Sequence, residues 1–218
     1  MRRGLLTATL LFVGSLCCSM GCSDASGPGL GGTTATVTDP TGDTFGTDTA
    51  QIDLTAMTIT RDTGGITVVL DFVADVVHPA SQAPNALRAF IDFDTDQDSA
   101  TGRSSAVDDV TGTVTAIGVD YELDMFLLPD SSALITDSQG EPTGIVTLAI
   151  DGKRLTVRIP RALLGGDDGF LNAAVIVGSP GGFKDIAPNG GHLQLGGTGA
   201  VMPYPALQRL AGTPRGTS

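Results

Sequence analysis

Ala89-Phe-Ile-Asp-Phe-Asp-Thr-Asp-Gln-Asp-Ser-Ala-Thr-Gly102 begins as a strand and ends as a turn crowded with carboxylates. From Leu87 onward every second residue is apolar. Leu87, Ala89, Ile91 and Phe93 take one face, and Arg88, Phe90, Asp92 and Asp94 take the other. A period of two is the mark of a strand that turns one face to a core. The acids Asp92, Asp94, Asp96 and Asp98 then follow at alternate positions. Carboxylates so placed repel one another unless positive charge sits among them. A hard cation with oxygen ligands, most simply Ca2+, suits that donor set, and these four are the candidate metal ligands. A solvated acidic turn is the alternative.

Working outward, the same alternation recurs along the chain. Thr33 to Asp39 reads as a first strand, and Asp39-Pro-Thr-Gly-Asp43 as a turn in which Pro fixes φ and Gly supplies positive φ. Ile52, Leu54 and Ala56 share a face, after which the pattern restarts at Met57 and Ile59. That phase slip predicts a β-bulge near Ala56–Met57. Asp62-Thr-Gly-Gly65 and Asp151-Gly152 read as hairpin turns around alternating strands. Ser104 to Thr111 reads as a polar connection, and Thr115 to Leu127 as a strand with Val119, Tyr121, Leu123 and Met125 inward. Arg161 to Leu164 is at most one helical turn, closed by Gly165-Gly166. Phe170 to Val177 reads as an apolar strand and predicts cover on both faces. About nine short strands with turn signals between them predict an all-β fold, an antiparallel β-sandwich or jelly roll.

Composition agrees. The chain has 218 residues, 30 of them Gly, and no Trp; its formal charge is -12. All but two of the 24 acids are Asp, the exceptions being Glu122 and Glu141. Asp favours turns, caps and cation loops, whereas Glu favours helix interiors. So acidic a surface repels nucleic acid and anionic lipid, so no nucleic-acid partner is expected.

The N-terminus has its own pattern. Met1-Arg-Arg3 is basic, Gly4 to Leu16 is apolar but too short to span a bilayer, and Ser19-Met-Gly-Cys22 follows. The last four residues resemble the lipobox of bacterial lipoproteins, which implies cleavage before Cys22 and a diacylglycerol on its sulfur. Ordinary signal-peptidase cleavage nearby is the alternative. All three Cys (Cys17, Cys18, Cys22) lie in or beside this leader, so the remainder of the chain has no disulfide. The organisation read from these signals is a leader over 1–22, a tether over 23–32, a β-sandwich domain over 33–196 and a loose tail over 197–218. The resemblance implies an exported protein held by its lipid at the outer membrane or cell surface, with the membrane as a partner.

A second resemblance rests on five stretches. They are Asp39-Pro-Thr-Gly-Asp-Thr-Phe-Gly46, Ile91-Asp-Phe-Asp-Thr-Asp-Gln-Asp-Ser-Ala-Thr-Gly102, Gly118-Val-Asp-Tyr-Glu-Leu123, Ile159-Pro-Arg-Ala-Leu-Leu164 and Asp185-Ile-Ala-Pro-Asn189. Together they resemble secreted bacterial domains similar to the family 9 carbohydrate-binding modules and the DOMON-like sandwiches. That resemblance implies export and a sandwich of this class, with a glycan or protein as ligand. The aromatic platforms on which such modules stack sugars are missing: the chain has no Trp, and its two Tyr are Tyr121 and Tyr204. Met57, Met125, His78 and His192 offer haem-ligand chemistry, but no spacing pairs them.

The acidic turn starts like an EF-hand loop, but Gln97 stands at the place of the turn Gly and Arg103 at that of the bidentate Glu. Another closure is expected, with Asp43, Asp108 and Asp109 as candidates to complete the shell. A second acidic row, Asp120, Glu122 and Asp124, lies outward on its strand as a candidate landing surface for a basic partner. Arg154 and Arg158, outward on another strand, are its expected cross-sheet partners in the plainer reading. Neither His has a nucleophile near it in sequence, and Gly178-Ser-Pro-Gly181 does not make a nucleophile elbow. The expectation is therefore a non-enzymatic binding or accessory protein with a structural Ca2+. A carbohydrate-active enzyme and a purely structural surface protein are the alternatives.

Overall fold

The structure is a computed structural model that describes residues 34–46, 51–81, 83–128, 131–166 and 170–196. The leader, Cys22, the tether and the tail from residue 197 lie outside the described residues.

The described chain is all-β and antiparallel. In order it runs β1 (Thr34–Thr38), β2 (Leu54–Asp62), β3 (Gly65–Phe72), β4 (Arg88–Asp94), helix α1 (Ala106–Thr111), β5 (Tyr121–Asp124), β6 (Ser132–Asp137), β7 (Pro142–Asp151), β8 (Arg154–Pro160), a 3-10 turn (Arg161–Leu164), β9 (Leu171–Ser179), β10 (Gly182–Ala187) and β11 (Leu193–Leu195). The strands form one sheet in the order β1-β2-β3-β8-β7-β6-β5-β4-β9-β10, with β11 also on β9. The ten-residue β7 joins its two halves: Pro142 to Thr147 pair with β6, and Leu148 to Asp151 with β8. The two ends then approach each other. The Phe45 N–H donates to Lys184 O (2.7 Å), and the Leu54 N–H donates to Asp185 Oδ2 (2.7 Å). The sheet is thereby nearly closed, barrel-like, around one core.

Alternation explains that core. Leu87 and, in β4, Ala89, Ile91 and Phe93 share the main core with Met57 and Ile59 of β2, Leu70 of β3 and Leu155 of β8, all fully buried. The expected bulge is present, one residue earlier than read: the pairing of β2 with β3 slips between Leu54 and Ala56, which brings Leu54 and Met57 to the same interior. Every residue of β9 is buried, as its predominantly apolar run predicts. Leu171, Ala173, Val175 and Val177 face the main core. Ala174 and Ile176 face a second, smaller one.

That second core was not legible as such. The stretch read as a polar connection holds α1, capped at its start by Ser105, whose Oγ accepts the Val107 N–H, and at its end by Gly112 in the left-handed conformation. The expected strand from Thr115 is strand only over Tyr121–Asp124. Residues 103–119 instead lie over the outer face of β4, β5 and β9, where Val107, Ile117 and Val119 pack on Ala174 and Ile176.

Candidate functional site

β4 carries Asp92 and Asp94 two residues apart, so both side chains leave the sheet on its outer face, beneath this cover. Both are fully buried. Their surroundings differ, and the acidic turn divides between them.

Asp94 joins Asp96 and Asp120, each offering one carboxylate oxygen within 4.8 Å of the others. Asp94 Oδ2 accepts from the Asn172 amide (3.1 Å) and the Gly118 N–H (3.4 Å), whereas its buried Oδ1 has no hydrogen-bond partner among the described residues. Asn172 is held in turn by Gln97, whose amide donates to Asn172 Oδ1 (3.2 Å). Gln97 sits at φ 56°, the left-handed conformation an EF-hand gives to glycine at this place. Asp96 is exposed. Its Oδ1 accepts the Asp98 N–H (2.9 Å) and its Oδ2 the Thr101 hydroxyl (2.9 Å). Asp120 Oδ2 accepts from the Thr95 N–H (2.9 Å) and hydroxyl (3.0 Å), tying the turn to the start of β5. Burial holds the Asp94 carboxyl above the usual carboxylate range, while the Asp98 N–H draws that of Asp96 below it. The group thus has one exposed carboxylate held by donors, one buried carboxylate with a single oxygen left without a donor, and a third bracing the turn. Such a set can take a hard cation.

Asp92 faces elsewhere. Its Oδ2 accepts the Ser105 hydroxyl (2.7 Å) and the Ala106 N–H (2.8 Å), which fastens the start of α1 to the sheet. Directly across the strand pair stands Glu122. Arg103 Nη2 lies 2.8 Å from Glu122 Oε1, a charge contact rather than an aligned hydrogen bond. Arg103, which replaces the ligating Glu of an EF-hand, is thus the positive charge for this half of the turn. Burial pushes the Asp92 carboxyl up to about 7, the Ser105 hydrogen bond opposing it. Burial raises Glu122 as well.

Of the four acids predicted as one metal set, then, Asp94 and Asp96 come together, Asp120 joins them, and Asp92 and Asp98 do not. Asp98 Oδ1 accepts the Ala100 N–H (3.0 Å) and shapes the turn. Asp108 accepts the Thr115 N–H (2.8 Å) and Asp109 the Ser104 hydroxyl (3.0 Å), so both bind the ends of α1 and do not complete the shell. The row Asp120, Glu122, Asp124 is not an open landing surface. Glu122 and Asp124 are 8% and 7% exposed, because the 103–119 segment covers the face they share. Asp124 Oδ1 accepts the Phe126 N–H (2.6 Å), and burial raises its carboxyl. The arginines expected to pair with this row pair within their own half of the sheet: Arg154 with Asp71 at 2.6 Å, and Arg158 with Asp62. Met57 and Met125 are fully buried in the main core, where they serve packing.

Asp43 belongs to a second acidic group with Asp39 and Asp185, again with ligand atoms within 4.8 Å. It lies at the seam between the two ends of the sheet, not with the Asp94 group whose shell it was a candidate to complete, and sequence reading saw Asp39 only as the flank of a turn. On the outer face near β4, Phe90, Phe126 and Phe183 form an aromatic cluster. Phe90 and Phe126 stack at 4.9 Å between centroids, and the Arg88 guanidinium lies 6.0 Å from the Phe126 centroid. Phe126 is 40% exposed.

The chain matches no protein-family model and no curated protein.

Proposed function

We propose that the chain is a non-enzymatic envelope protein, exported and lipid-anchored at Cys22, whose β domain has a binding or accessory role and holds Ca2+ as a structural ion at Asp94, Asp96 and Asp120. The observation that carries the ion is Asp94. It is a fully buried carboxylate, one oxygen without a donor among the described residues, set beside two further acids. A buried carboxylate oxygen without a donor is costly, and a divalent cation offsets that cost with oxygen ligation. The ion would tie β4, the turn and the start of β5 into one unit.

Calorimetric titration of the purified chain with Ca2+ at neutral pH tests the site. Extracellular calcium modules bind at about 10^-4 to 10^-3 M, and binding in that range is expected here. Asp94→Asn and Asp120→Asn should each abolish this event; a titration that both variants leave unchanged refutes it. The anchor follows from Ser19-Met-Gly-Cys22 and is tested by mass spectrometry of the N-terminal peptide from a bacterial membrane fraction. Diacylglycerol on Cys22 is expected, and an unmodified N-terminus elsewhere refutes it.

Glycan binding is the form of the accessory role with an observation of its own. The exposed ring of Phe126, backed by Phe90 and Phe183, offers the only aromatic stacking surface for a sugar among the described ring contacts. Phe126→Ala should then abolish retention on a glycan that the native chain binds.

A further inference from the structure

The second acidic group sits where the fold has to close. Asp39 follows β1, Asp43 ends the turn after it, Asp53 precedes β2, and Asp185 lies in β10, at the opposite end of the strand order. Asp185 is 1% exposed and already spans the seam: its Oδ2 accepts the Leu54 N–H (2.7 Å) and its Oδ1 the Ile186 N–H (2.9 Å). Each oxygen keeps a second lone pair. Asp43 is exposed at the mouth of the group and accepts from the Asn189 amide. Asp53 Oδ2 accepts the Gly42 N–H (2.9 Å), which draws the turn over the group.

Asp39 is different from all of these. It is 7% exposed, and neither of its carboxylate oxygens has a hydrogen-bond partner among the described residues. Asp53 Oδ1 is buried and unpartnered as well. A buried carboxylate without donors is among the most costly groups a fold can carry. Here its surroundings worsen it: after burial, what acts on Asp39 is the negative charge of Asp185, Asp43 and Asp53, and together they push its carboxyl up to about 8.

We propose that Asp39, Asp43 and Asp185 form a second divalent-cation site, with Asp53 bordering it, which clasps the turn after β1 to β10 and so closes the sheet. Several carboxylate oxygens from two distant chain segments, with the Asp39 oxygens free of donors, are the ligand set of a hard ion such as Ca2+. The site shares no residue with the Asp94 group, so either can fail without the other.

The test is the number of ions bound per chain, measured by equilibrium dialysis of the full chain against millimolar Ca2+. The native chain should bind two. Asp39→Asn, which keeps the side-chain shape, should lose one of them. Asp43→Asn, exposed and harmless to packing, should lose the same one. Asp120→Asn should lose the other, and Asp39→Asn/Asp120→Asn should bind none. Amide exchange gives a second readout: Ca2+ should slow exchange at the Leu54 and Phe45 N–H groups across the seam, and Asp43→Asn should remove that slowing. If Asp39→Asn and Asp43→Asn both keep the native stoichiometry, the seam site is overturned. A chain that binds one ion, lost only in Asp120→Asn, overturns it while leaving the Asp94 site standing.

Discussion

Ser105→Ala is the substitution whose cost the structure specifies most closely. The hydroxyl does two things: it donates to Asp92 Oδ2 at 2.7 Å, and its oxygen accepts the Val107 N–H at 3.1 Å to cap α1. Losing an N-cap costs about 0.5–2 kcal/mol. Losing a hydrogen bond to a buried charged group costs about 1.5–3 kcal/mol, and to a neutral one about 1 kcal/mol. Asp92, pushed up to about 7 by burial, is ionised above that pH and protonated below it. Ser105→Ala should therefore cost about 2–5 kcal/mol at about pH 8 and about 1.5–3 kcal/mol at about pH 5, from the same two sources. Urea unfolding at both pH values, with EDTA present, measures it. A cycle with Asp92→Asn should show coupling at the higher pH. A loss below about 0.5 kcal/mol at both, or no coupling with Asp92, would refute the reasoning that Asp92 holds the helix; that is within the range of an ordinary surface change.

Three further outcomes follow from the same geometry. Gly118→Ala places a methyl 2.0 Å from Thr101 O and 2.9 Å from Asp98 O. The turn must move, so a loss of about 1–3 kcal/mol and weaker Ca2+ binding at the Asp94 group are expected from denaturant melts and titration. Phe93→Ala, at a fully buried site in the centre of the main core, should cost about 3–5 kcal/mol in the same melts. Without divalent ions, Asp39, Asp92 and Asp185 have carboxyls raised to about 8, 7 and 6, so the folded chain binds more protons than the unfolded one above pH 4. Stability in EDTA should thus fall as pH rises from about 4 to 8, and urea midpoints that climb over this window would contradict it.

Much of the fold was legible because alternation reports directly on facing. Leu87 to Phe93, the phase slip before Met57 and the apolar β9 run each led to the strand, bulge or buried strand found there. Alternation does not report what covers a face. Asp92, Glu122 and Asp124 read as outward and are outward from the main core, yet all three are buried, Asp92 against Ser105 and Ala106 and Glu122 against Arg103. The stretch that holds α1 was read as polar because its apolar residues are few and its helix is six residues long. Spacing also could not separate Asp92 from Asp94, which leave the same strand on the same face and differ only in whether Ser105 or Asn172 meets them. Asn172 was a signal that went unread, since a lone amide in an otherwise apolar strand needs a partner. The pairing of Asp39 with Asp185 spans nearly the whole described chain, and no local pattern carries it.

The acidic turn as an ion site is tested most directly by thermal unfolding of the full chain in EDTA and then in millimolar Ca2+, with Mg2+ as control. Saturation to ten times the dissociation constant adds about 1.4 kcal/mol per site. For a domain of this size that raises the midpoint by about 3–6 °C per site. The account predicts a rise with Ca2+ that Mg2+ does not reproduce, and that Asp94→Ala/Asp96→Ala loses by one site's share. No rise at all, or a rise that this variant keeps in full, would contradict it.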